Sequence, residues 1–104
     1  MSSQIDIVAI LSPKPGKADR LIELLSEVSE YVKANEPGTL KYQILRTKDE
    51  VVLIESYKDK AALGAHGSSK TFKTFQKKLR DEDLTGAPMQ LKMLKDAGGF
   101  TSRL

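Results

Sequence analysis

Two short segments of this chain carry apolar residues on both of their faces, and that limits the folds open to it. In "QIDIVAIL" (4–11), Ile5, Ile7 and Ala9 alternate with Val8 and Ile10. In "VVLIES", Val51 and Leu53 alternate with Val52 and Ile54. Both are rich in β-branched residues and strand-sized. Successive strand side chains point to opposite sides of a sheet, so each segment needs apolar cover above and below. Helices of the same chain can supply one cover. The other has to come from a second sheet.

The remaining segments say how the first cover is built. "SPKPGK" breaks the opening strand, since two prolines and a glycine suit a loop. From Lys17 to Ala34 the apolar set Leu21, Leu25, Val28 and Val32 steps by four, three and four, widened by Ala18 and Ile22. That is a helix with one apolar stripe. "NEPG" ends it, because Pro37 disfavours helix at Glu36 and Gly38 suits a turn. "TLKYQILR" (39–46) and "VVLIESYK" (51–58) flank "TKDE" as a hairpin. Asp59 can cap a short helix running through His66 and closed by Gly67. Ser68 or Ser69 can cap the next, to about Arg80. A last strand, "PMQLKMLK" (88–95), precedes the tail "DAGGFTSRL". Residues 1–104 thus form a single domain with 96–104 as a C-terminal tail. The order βαββαβ predicts an α+β, ferredoxin-like fold with an antiparallel sheet and helices on one face. With both strand faces apolar, the bare face is expected to pair with a second copy, making a homodimer.

Composition removes several classes of function. Hydrophobic residues at 39% and charged residues at 30% fit an ordinary soluble globular chain. The longest apolar runs are far too short to span a bilayer, so no membrane partner is expected. "MSSQIDIVAIL" lacks a basic leader region, so no secretory signal is expected. With no cysteine there is no disulfide or thiolate. One histidine is too few for a protein-built transition-metal site. No Gly-rich nucleotide loop follows a strand. The lysines of "SSKTFKTFQKKLRDED" (Lys70, Lys73, Lys77) fall opposite Phe72, Phe75 and Leu79, the solvated face of an amphipathic helix. An RNA-recognition module shares the element order but needs stacking aromatics on its third strand, where this chain has "VVLIESY". No nucleic acid is expected.

The residues left for chemistry are few. His66 lies three after Leu63 and four after Ala62, on the apolar side of its helix. It reads either as a hydrogen-bonded residue tying helix to sheet or as a base near neutral pH. Glu55 shares a strand face with Leu53 and Val51, so it needs a partner. His66 is the natural one, and a surface lysine the alternative. Tyr42 and Tyr57, on paired strands, can hold a phenolic ligand through their hydroxyls or serve as core walls. Asp6 faces the same side as Val8 and reads as a pocket group or an interface acid. Met89 and Met93 read as core or dimer packing.

Four segments, "KPGKADRLIELL", "NEPGTLKY", "ESYKDKAALGAH" and "SSKTF", together resemble the antibiotic biosynthesis monooxygenase family. The resemblance covers nearly the whole chain and implies a dimeric α/β barrel, in which two ferredoxin-like subunits pack sheet to sheet. It also implies a pocket between helices and sheet, with Glu55 matching the acid that ends the third strand, His66 the histidine of the helix, and Phe72 the aromatic of the next. By that resemblance the chain is a cofactor-independent monooxygenase acting on a small aromatic or quinol-like substrate. The alternative is a non-catalytic dimeric module of the same fold for small-molecule binding or stress response. Two features depart from the pattern. Thr71 stands where many relatives carry histidine. The chain also has no tryptophan, which the anthrone-oxidising and haem-degrading branches use, so neither of those substrates is implied.

The tail adds one expectation. Ser102-Arg103-Leu104 is similar to the Ser-Lys-Leu address read by the peroxisomal import receptor. In a eukaryote that predicts peroxisomal localisation. Otherwise the protein is expected to be cytoplasmic, and the tail either frays or packs on a partner subunit through Phe100.

Overall fold

A computed structural model describes residues 3–103. The elements are β1 (Ile5–Leu11), α1 (Ala18–Asn35), β2 (Thr39–Arg46), β3 (Val51–Tyr57), α2 (Lys60–Gly67), α3 (Lys70–Asp81) and β4 (Gln90–Leu94). They form one four-stranded sheet in the order β2-β3-β1-β4, antiparallel throughout. The fold is α+β and ferredoxin-like, as the element order predicts. Expected ends move by one or two residues. The last strand starts at Gln90 rather than Pro88, which has no N–H to give to the ladder.

Local chemistry sets the helix starts. The Asp59 carboxylate accepts from the Ala62 N–H at 2.9 Å, and the Ser69 hydroxyl accepts from the Phe72 N–H at 3.1 Å. Each satisfies a backbone donor that the first helical turn leaves orphaned. Ser69, rather than Ser68, is the cap of α3. After α3 the chain is pinned back by Lys14 N–H to Leu84 C=O and Gly86 N–H to Ser12 C=O, both 2.9 Å.

The core lies between the helices and one face of the sheet. Leu21, Leu24, Leu25, Val28 and Val32 of α1 pack on Ala9, Leu11, Val51 and Leu53, with Phe75 and Leu84 closing the cluster. Each fully buried aliphatic side chain contributes roughly 1.5–3 kcal/mol. The opposite face carries Val8 and Ile10 from β1 and Val52 and Ile54 from β3, all only half-buried. Val8 pairs with Ile54 and Ile10 with Val52, so the four form one contiguous apolar patch. Leu45 and Leu94 extend it at 43% and 45% exposure. In the tail, Ser102 and Arg103 are exposed, and Leu104 lies outside the described residues.

Candidate functional site

Strand alternation puts Leu53, Glu55 and Tyr57 on the helix-facing side of β3. Register then sets Glu55 in a cross-strand row, with Ile7 of β1 on one side and Tyr42 of β2 on the other. Helix α2 lies over this row and brings Leu63, His66 and Gly67. Helix α3 adds Phe72, Phe75 and Gln76, and the β4 side adds Met89 and Leu91. Together these residues line a cavity of about 260 Å³, predominantly apolar. His66, Glu55, Tyr42 and Phe72, four of the residues singled out from the sequence, meet on its walls.

Glu55 is buried, and its carboxylate accepts a short hydrogen bond from the Tyr57 hydroxyl. Burial pushes the Glu55 carboxyl above the ordinary glutamate range, opposed by that hydrogen bond and by His66. Burial also pushes the Tyr57 hydroxyl well up, and the bond to Glu55 pushes it further. The Tyr42 hydroxyl is raised by burial and then by the charges of Glu55 and Glu36. Both tyrosines are therefore hydrogen-bond donors at neutral pH. Tyr57 is not on the cavity wall. It stands behind Glu55, and its hydroxyl hydrogen is committed to that carboxylate.

The imidazole of His66 is packed among three rings, with centroids at 5.2 Å to Phe72, 5.4 Å to Tyr42 and 5.6 Å to Tyr57. Its hydrogen-bond partner is not Glu55. His66 Nδ1 lies 2.9 Å from Glu36 Oε1, both side chains nearly buried at 6% and 10% exposure. Glu36 stands at the C-cap of α1 in the "NEPG" segment, whose role the sequence limits to a turn. Its contact with His66 spans 30 positions of sequence, and local pattern carries no sign of it. The resemblance of "NEPG" to the family was the one available hint.

Asp6 belongs to the other side of the molecule. It pairs with Ser56 across the β1–β3 ladder and accepts from the Ser56 hydroxyl at 2.7 Å, on the face of Val8 and Ile54. Hydrogen bonds from Gln4 and then Ser56 hold its carboxyl below the usual aspartate range. Asp6 is not a pocket group. The strand's alternation separates it from Ile7 and Glu55, which line the cavity.

Among the described residues, no three His, Cys, Asp or Glu side chains converge to hold a metal ion. No helix among them is long and apolar enough to cross a membrane.

An α+β, ferredoxin-like sheet with an apolar cavity beneath its helices is a monooxygenase-like or small-molecule-binding fold. Residues 5–78, well over half of the chain, match the family described as antibiotic biosynthesis monooxygenase. The chain belongs to that family. Among solved structures it is similar to a Caulobacter crescentus CB15 protein assigned to the same family, at 28% identity. That match covers 93% of this chain and 92% of the other, with a TM-score of 0.82. Rv0793 of Mycobacterium tuberculosis is 22% identical over 95% of this chain and all of its own, again with a TM-score of 0.82. A Nitrosomonas europaea protein assigned to the family is 20% identical over 92% of each chain, at 0.82. These last two likenesses show the fold. Among curated proteins, none matches the chain.

Proposed function

We propose that this protein oxidises a small aromatic or quinol-like substrate with dioxygen in the cavity beneath α2, without a metal or organic cofactor. One observation carries the reading: an imidazole and a buried carboxylate of raised proton affinity stand on one predominantly apolar cavity. Such a pairing suits proton transfer in a dry site. At about 260 Å³ the cavity is just below the ~300–1,000 Å³ usual for drug-sized ligands, and so suits a molecule of one or two rings.

The chemistry needs only a base and a dry pocket. His66 takes the proton of a substrate hydroxyl, and the phenolate passes one electron to dioxygen. Phenoxyl radical and superoxide then join at a ring carbon that still bears hydrogen, forming a C–O bond. With one proton returned, the hydroperoxide loses that C–H hydrogen and its outer oxygen as water, leaving a quinone carbonyl. One oxygen atom enters the product, the other leaves as water, and the substrate supplies all four electrons. The Tyr42 hydroxyl and the Glu55 carboxyl, both on the cavity wall, would hold the substrate oxygens.

The half-buried patch of Val8, Ile10, Val52 and Ile54 supports a homodimer joined through this sheet face, which would supply the missing cover. Oxygen uptake with a panel of phenols and quinols, with and without added flavin and metal, tests the function. The expected result is uptake independent of both additions and slowed at least ~10²-fold by His66→Ala. Full-rate turnover by both His66→Ala and Glu55→Gln would overturn the assignment of the base. Binding without turnover across the panel would make the chain a binding module of the same fold.

A further inference from the structure

Glu36 is the least satisfied buried group among the described residues. One carboxylate oxygen meets His66 Nδ1, while Oε2 is buried with no hydrogen-bond partner. Buried polar atoms are normally paired, so an exception asks for a reason. The turn itself offers none. It is closed by Glu36 N–H to Val32 C=O, Thr39 N–H to Glu36 C=O and Lys58 N–H to Gly38 C=O, at 2.9, 3.0 and 2.8 Å. All three bonds are backbone, and none needs a carboxylate at position 36. The strong contact of that side chain is with the imidazole. A weaker one, from the Thr39 hydroxyl, is 3.5 Å long.

We propose that Glu36 is the positioning residue of this site. It holds His66 as the Nδ1–H tautomer and thereby makes Nε2 the basic atom presented to the cavity. The proposal rests on the reading of His66 as the base. An ionised carboxylate only accepts, so the ring nitrogen facing it carries the proton and the other nitrogen keeps its lone pair. Nε2 makes no hydrogen bond among the described residues. The rings of Phe72, Tyr42 and Tyr57 box the imidazole on several sides and oppose its turning over. Glu55 does not take this part, because its carboxylate accepts from Tyr57 and it lines the cavity. The two carboxylates have separate tasks. Glu36 orients the base from behind, and Glu55 offers a protonatable group in front.

His66 is the sole histidine, so the imidazole nitrogen NMR spectrum of isotope-labelled protein contains one ring. At mildly alkaline pH the wild type should show Nδ1 in the protonated range and Nε2 in the unprotonated range. In Glu36→Ala the two assignments should exchange. In Glu36→Gln, whose amide both accepts and donates, the populations should fall between. Glu55→Gln should leave the wild-type pattern in place, as should Asp6→Asn on the far face. A wild-type spectrum with the proton on Nε2, or on both nitrogens, would overturn the proposal. So would an unchanged Nδ1–H form in folded Glu36→Ala or, if that variant does not fold, in Glu36→Gln. The measurement needs no substrate, so its failure is separable from a failure of the oxygenase reading.

Discussion

Gly38 and Ala62 approach so closely that a β-carbon on Gly38 would stand 2.6 Å from the Ala62 Cβ. Real β-carbons do not come that near, so only glycine lets the first turn of α2 settle against the start of β2. Glu36 is two residues before that contact and His66 four residues after it, on the same side of α2. The glycine therefore sets the distance between the two. Gly38→Ala should lower stability by about 1–3 kcal/mol through overpacking, a fall in Tm of several degrees for a domain of this size. Ala62→Gly costs about 1 kcal/mol alone, yet should restore part of the loss when the two are combined. Melting curves of the four proteins give the coupling, and strictly additive effects would refute the contact.

Removing one partner of the Glu36–His66 pair should be far worse than removing both. His66→Phe leaves a buried carboxylate unpaired, at a cost of about 3–5 kcal/mol, and Glu36→Met leaves a buried imidazole N–H unpaired, at about 1–3 kcal/mol. The double variant replaces the pair with apolar groups in a setting of aromatic rings, which is close to neutral when the packing holds. Denaturant titration of the three variants decides it. A double variant as unstable as the sum of the singles would show that the pair holds the fold together.

Glu55 makes stability depend on pH. Its carboxyl titrates above the ordinary value of 4.5 in the folded protein because burial disfavours the charged form. Between that value and the raised one the folded state holds a proton that the unfolded state has lost, so stability falls as pH rises. Glu55→Gln removes the effect while its amide oxygen still accepts from Tyr57. The Tm of the variant should therefore gain on that of the wild type through the window above pH 4.5, then run parallel to it. Curves parallel from about pH 4 to pH 8 would show an unshifted carboxyl.

The sheet face bearing Val8 and Ile54 should join two chains. Light scattering at micromolar concentration should give twice the 11.5 kDa of the monomer. Ile54→Lys, which places a charge at the centre of the patch beside Val8, should shift the population to monomer with the fold retained. A folded, soluble wild-type monomer would remove the homodimer from the proposal.

The strands, helices and caps were legible in the sequence because short-range chemistry sets them. Alternation marks β1 and β3, the spacing of Leu21, Leu25, Val28 and Val32 marks α1, the side-chain oxygen of Asp59 starts α2, and Ser68 or Ser69 starts α3, where the structure selects Ser69. Alternation also put Glu55 among apolar neighbours, and helical spacing put His66 on the inner side of α2. Period two says that Asp6 and Ile7 face opposite ways, but not which way the helices lie. Only the packing of α1 on Ala9 and Leu53 decided that Ile7 lines the cavity and Asp6 faces away. The partners of the two acids were decided in the same way. Glu55 found the Tyr57 hydroxyl on its own strand face, and His66 found Glu36 across 30 positions. A contact of that span depends on strand register and on how closely α2 can dock over Gly38, and both are settled by packing the whole chain rather than by any local run of residues.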